Sequence, residues 1–86
     1  MIPPYKYSVD DTVLDCFVGS TKRQREKLLR VFAHLADDPS QPGDTIQPDH
    51  VGRPLQVKRF GEWTITWWPE HLAREVHVVA VEHLRI

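Results

Sequence analysis

The chain has 86 residues, 41% hydrophobic and 27% charged, with a formal net charge of −1. That composition fits one ordinary globular domain, residues 1–86, with a modest core; no apolar run approaches the roughly 20 residues that span a bilayer. The lone cysteine, Cys16, excludes an internal disulfide and a multi-cysteine metal site, and near-neutral charge argues against strong non-specific nucleic-acid binding.

The N-terminus lacks the basic-then-apolar pattern of a secretion signal, so a cytoplasmic protein is expected. Between Ile2 and Asp10, Tyr5, Tyr7 and Val9 alternate with Lys6, Ser8 and Asp10, the period of a half-buried strand. Asp11 or Thr12 can cap a short helix carrying Val13, Leu14, Phe17 and Val18, which Gly19 ends. Cys16 lies among those apolar residues and reads as core. Ser20 or Thr21 can cap the next helix, where Leu28, Leu29, Val31, Phe32, Leu35 and Ala36 recur at three- and four-residue spacing. Asp37-Asp38-Pro39 ends it, because the residue before proline is pushed out of helical geometry.

Charge is unevenly spread. Lys22, Arg23, Arg25, Lys27 and Arg30 crowd into the second helix with only Glu26 against them, and Asp37, Asp38, Asp44 and Asp49 follow. Such a run reads first as a solvated helix face, and otherwise as a surface for phosphate or an acidic partner.

The stretch from Ser40 to Pro54 holds Pro42, Gly43, Pro48, Gly52 and Pro54 and reads as a loop. Two runs then face each other, Leu55 to Phe60 and Trp63 to Trp68. A two-residue Gly61-Glu62 turn would pair Lys58 with Ile65 and split the apolar residues between faces. A three-residue loop, Phe60 to Glu62, pairs Val57 with Ile65 and Leu55 with Trp67, keeping one face apolar; that register is expected. It places Lys58 and Trp68 together on the other face. Pro69 closes this strand, and Val76, Val78, Val79, Ala80 and Val81 suggest a last strand buried on both faces. The expected architecture is α+β: a four-stranded antiparallel sheet with two helices on one face, in the order β-α-α-β-β-β.

Three segments carry a resemblance. Leu28-x-x-x-Phe32-x-x-Leu35-x-Asp37-Asp38-Pro39 is similar to the second helix of the RelE/ParE toxins of type II toxin–antitoxin systems. Gly52-Arg53-Pro54-Leu55-x-Val57-Lys58-Arg59-Phe60-Gly61-Glu62-Trp63-x-Ile65 resembles their central hairpin, and Val78 to Arg85 their last strand. The likeness covers nearly the whole chain and rests on residue classes, not on an invariant motif. It implies a toxin with a cognate antitoxin as partner. RelE-like members cleave mRNA on the ribosome; ParE-like members poison DNA gyrase.

Cleaving RNA requires that a 2′-hydroxyl be deprotonated, the phosphorane charge held and the leaving 5′-oxygen protonated. Lysine and arginine hold charge, and histidine moves protons. By position in the resemblance, the catalytic candidates are Lys58, Arg59, His83 and Arg85. Candidates for RNA or partner contact are Arg53, Trp68, His71, Arg74, Lys22 and Arg23. Thr64 stands where many RelE-like nucleases carry an arginine, and no tyrosine-bearing tail follows Ile86, so weak or ribosome-dependent activity is expected. Trp63 and Trp67 read as core. His71, His77 and His83 could supply acid or base groups, as the resemblance to histidine-using members implies, although His77, inside a valine strand, reads first as a partly buried hydrogen-bonded side chain. His77 and His83 lie roughly 20 Å apart along one strand, too far to share a metal. No metal, cofactor or membrane partner is expected. The other class of reading is a non-catalytic binding module on the same fold, a gyrase inhibitor or partner-binding homologue; a homodimer is compatible with either.

Overall fold

A computed structural model describes residues 4–84. The elements run β1 (Lys6–Val9), α1 (Asp11–Val18), α2 (Lys22–Asp37), β2 (Thr45–Pro48), β3 (Pro54–Phe60), β4 (Trp63–Glu70) and β5 (Glu75–His83). They form one mixed five-stranded sheet in the order β1-β5-β4-β3-β2, with β1 parallel to β5 and every other pair antiparallel. No helix among the described residues is long and apolar enough to cross a membrane.

The expectation of four antiparallel strands is corrected twice. The first strand joins β5 in parallel, pairing Tyr7 with Val76 and Val9 with Val78. Both helices and three further strands lie between them in the chain, far more than the roughly dozen residues that a parallel connection needs. The 40–54 stretch also contains a strand. β2 is short, exposed at every position and closed by Pro48, which an edge strand tolerates because its outer N–H groups need no partner.

The α2 signals behave as read, whereas the N-cap of α1 is Asp10 and not Asp11 or Thr12, which lie inside the helix. Thr21 caps α2 in a reciprocal box, accepting from the Gln24 N–H at 3.1 Å while the Gln24 side chain accepts from the Thr21 N–H at 2.9 Å. Leu28, Phe32 and Leu35 of α2 and Val13 of α1 are buried against Trp63, Ile65, Trp67, Val76 and Val78. Cys16 packs at the margin of this core. The sheet residues in that set share one face by strand alternation, so both helices cover the same side and no helix covers the other.

The hairpin adopts the register that splits its apolar residues. Phe60 pairs with Trp63 and Lys58 with Ile65 across a two-residue turn, with Gly61 at φ +59. Glycine in the first central position suits a primed turn that matches strand twist. Phe60 compensates on the helix face by packing 6.1 Å from the Trp67 ring. Val57 and Leu55 pass to the open face, where they pair with Thr45 and Gln47 of β2. Lys58 is therefore on the helix side, its ammonium 5.3 Å from the Phe60 ring, and Trp68 is on the opposite side.

The last strand is also corrected. β5 is buried on one face only, through Val76 and Val78, and Ala80 is exposed. A bulge between Thr66 and Trp67 leaves Val79 as an extra residue, since Thr66 pairs with Ala80 and Trp67 with Val78. The extra residue breaks the two-residue period, so a dense valine run no longer means burial on both sides.

Candidate functional site on the open sheet face

The uncovered face holds a cleft of about 340 Å³, lined by Asp10, Asp49, His50, Arg53, Leu55, Trp68, His77 and Val79. Its volume falls within the roughly 300–1,000 Å³ typical of small-ligand sites. One wall is built by the turn between β2 and β3. There the Asp49 carboxylate accepts from the Val51 N–H at 2.9 Å and the Arg53 N–H at 2.8 Å, and lies 3.1 Å from Arg53 Nε. Gly52 makes the reversal at φ +82, with its N–H donating to the Asp49 carbonyl at 3.0 Å. Burial raises the Asp49 pKa, but the two backbone donors and the charges of Arg53 and His50 outweigh it, holding the carboxyl below its ordinary value.

Arg53, so held, lies 4.0 Å over the Trp68 ring. His77, the cross-strand neighbour of Trp68, stacks on the same indole at 4.6 Å and a 22° tilt. Arg53 reaches the indole from the turn before β3 and His77 from β5, the two strands that flank β4. The result is a layered wall: guanidinium, indole, imidazole. The His77 Nδ1 is 2.8 Å from Ser8 Oγ on β1 and 3.6 Å from Glu75 Oε1. A chain of contacts thus crosses the sheet from the Asp49 turn to β1.

Asp10 adds a second acidic group. It stands at the N-cap of α1, yet its side chain makes no capping hydrogen bond and lines the cleft. Aspartate is among the strongest N-cap residues, so this position forgoes a local stabilisation of about 1 kcal/mol.

The catalytic candidates read from the sequence are not gathered in this cleft. Lys58 faces the helices. Arg59 faces the open side but bends to the hairpin tip, where its Nε donates to the Gly61 carbonyl at 2.9 Å. His83 is on the helix side, two strands from Phe60 and level with it, 4.6 Å from the Trp63 ring and 3.3 Å from Glu62 Oε2. That last distance suits an ion pair when His83 is protonated but not an aligned hydrogen bond. Arg85 lies outside the described residues.

Of the contact candidates, Arg53 and Trp68 meet in the cleft. His71 is exposed on the β4–β5 turn, 2.6 Å from the Tyr5 hydroxyl. Arg74, on the same turn, takes φ +52, and its Nη1 is buried without a hydrogen-bond partner among the described residues. Lys22 and Arg23 are exposed in the first turn of α2, far in sequence and fold from the cleft wall. Among the described residues no group of three or more His, Cys, Asp and Glu side chains could hold a metal.

The sequence pointed to Arg53 and Trp68 but not to Asp10, Asp49 or His50 as site residues, and it favoured a structural His77 over an acid or base. The Asp49-x-x-Gly52 spacing carried a turn signal; the meeting of this turn with Trp68 and His77 depends on registers that no local pattern states.

The sequence matches no protein-family model and no curated protein sequence. The fold does have matches among solved structures. A chain of the RelBE2 toxin–antitoxin complex from Mycobacterium tuberculosis superposes with a TM-score of 0.72 at 14% identity, covering 94% of this chain and 99% of that one. A chain of the archaeal RelE–RelB complex from Pyrococcus horikoshii OT3 gives 0.72 at 11% identity, covering 94% and 96%. The chain has the fold of the RelE toxins. The fold likeness spans almost the full length of each RelE-fold chain, so no large insertion separates them. At such low identity it is the backbone path that is shared.

Proposed function

We propose that this chain is the toxin of a toxin–antitoxin pair, and that it acts by cleaving mRNA on the ribosome. The observation that carries the reading is the RelE fold with one sheet face left uncovered, and a cleft on that face lined by Arg53, Trp68, His50 and His77. A phosphate chain needs cationic donors, a base needs a π-surface or an edge donor, and proton transfer needs a group that can both accept and donate a proton, as an imidazole can. All three types are in the cleft. The cognate antitoxin, by this reading, covers that surface or distorts it.

A second reading has its own support. Lys58, Arg59 and His83 diverge, which favours a fold that binds a target without cutting RNA, as a gyrase inhibitor or a partner-binding homologue would. Induced expression separates the two. Growth would be followed with and without the product of the adjacent reading frame, and transcript 5′ ends mapped in parallel. Growth arrest with new transcript ends, relieved by the adjacent product, supports the toxin reading. Arrest without new ends selects the binding module, and unimpeded growth removes the toxin assignment.

A further inference from the structure

We propose that His77 is the general base and His50 the general acid of the open-face cleft, with Arg53 holding the scissile phosphate. This rests on the RNA-cleavage reading and adds to it the proton-transferring residues. His77 has the arrangement of an oriented base. Its Nδ1 edge is occupied by Ser8 Oγ at 2.8 Å and Glu75 Oε1 at 3.6 Å. A carboxylate on that side favours the tautomer with its proton on Nδ1, leaving the Nε2 lone pair to accept. Stacking on Trp68 fixes the ring plane. The side chain is 29% exposed, open enough to meet a substrate and enclosed enough to be held.

His50 lines the same cleft from the opposite element, the turn that also positions Arg53. The charged and titratable groups facing this pair are Glu75 on β5, Asp10 at the start of α1, and Asp49 and Arg53 on the turn. Lys6 of β1 is the register partner of Glu75. No other pair of histidines lines one cleft among the described residues' main cavities.

The step balances without a cofactor. His77 Nε2 takes the 2′-hydroxyl proton as O2′ bonds to the adjacent phosphorus. The P–O5′ bond breaks, and protonated His50 delivers its proton to O5′. The products are a 2′,3′-cyclic phosphate and a 5′-hydroxyl end. Arg53 donates to the phosphorane oxygens as their charge grows.

The test uses the full chain and ribosomes carrying a defined message, in two forms: all-oxygen, and with sulfur in place of the 5′-bridging oxygen at the cut. A thiolate leaves without a proton, so the sulfur form does not need the acid. The variants are His77→Gln, His77→Asn and His50→Gln, with Leu72→Ser on the exposed β4–β5 turn as control. Urea midpoints establish that each is folded. On the all-oxygen message the histidine variants should lose about 10²–10⁴-fold in cleavage rate, and each should lose one limb of a bell-shaped pH profile. On the sulfur message His50→Gln should regain most of its rate and both His77 variants should stay slow. A folded His77 variant that cuts at the wild-type rate overturns the proposal, as does sulfur rescue of His77→Gln in place of His50→Gln. Wild-type protein that cuts neither message overturns the RNA reading itself, and this assignment with it.

Discussion

Replacing Gly43 with alanine tests the packing that seats β2, and hence the turn carrying Arg53, against the sheet. A Cβ built at Gly43 would lie 2.7 Å from both the backbone N and the backbone O of Val57, and 3.1 Å from the Thr45 carbonyl. Those neighbours are backbone atoms of paired strands, so they cannot swing away as a side chain would. The Gly43 N–H donates to Gln56 Oε1 at 2.8 Å, and the Asp44 N–H to the Val57 carbonyl at 2.8 Å. Relieving the clash means moving the segment outward and stretching both bonds. Overpacking costs about 1–3 kcal/mol. Each weakened hydrogen bond adds about 1 kcal/mol. Gly43→Ala should therefore lose about 3–5 kcal/mol by these terms together. Gly19→Ala is the matched control: its added Cβ would meet nothing closer than 3.5 Å, at φ −77, so it should be neutral or gain about 0.4–1 kcal/mol through the unfolded chain. Urea unfolding followed by tryptophan fluorescence reads both. With a slope of about 1 kcal/mol/M, at the low end for small proteins, the Gly43→Ala midpoint should fall by about 3–5 M or the variant should not fold. Equal midpoints for the two variants would refute the close approach at Gly43.

Phe32 is 1% exposed, with its ring 5.5 Å from that of Tyr7, so Phe32→Ala should cost about 3–5 kcal/mol in the same urea assay. Thr21→Ala removes the acceptor of the α2 capping box and should cost about 0.5–2 kcal/mol, read as a lower melting temperature. Asp49 has a folded pKa below its ordinary 3.8, so its ionised form contributes stability above that pH and loses it as pH falls through the folded value. Asp49→Asn should thus be less stable than wild type at pH 7, with the gap closing on acidification; a gap that widens below pH 3.8 would contradict the assigned contacts.

The sequence carried the helices well because their signals are local. The Thr21–Gln24 box, the Leu28 to Leu35 stripe and the Asp38-Pro39 stop each lie within one element. The tryptophans were also legible, Trp63 and Trp67 being 3% and 0% exposed. Register was not. Choosing the hairpin that kept one face apolar gave the wrong pairing, because the open face accepts Val57 and Leu55 beside β2. A one-residue slip exchanges every side chain between faces, so this single choice moved Lys58 to the side of Trp68. The bulge at Val79 hid the alternation of β5 in the same way. His77 looked structural beside its valines, and only the pairing with Trp68 places it at a cleft.

The most direct test of the central proposal is cleavage of a defined mRNA in a purified translation system. Ribosomes would be stalled at a known codon, the purified chain added, and message ends mapped by primer extension, with and without the adjacent gene product. The account predicts a new end at the stalled codon, dependent on the ribosome and suppressed by that product. Intact message at protein concentrations that halt growth in cells would contradict it.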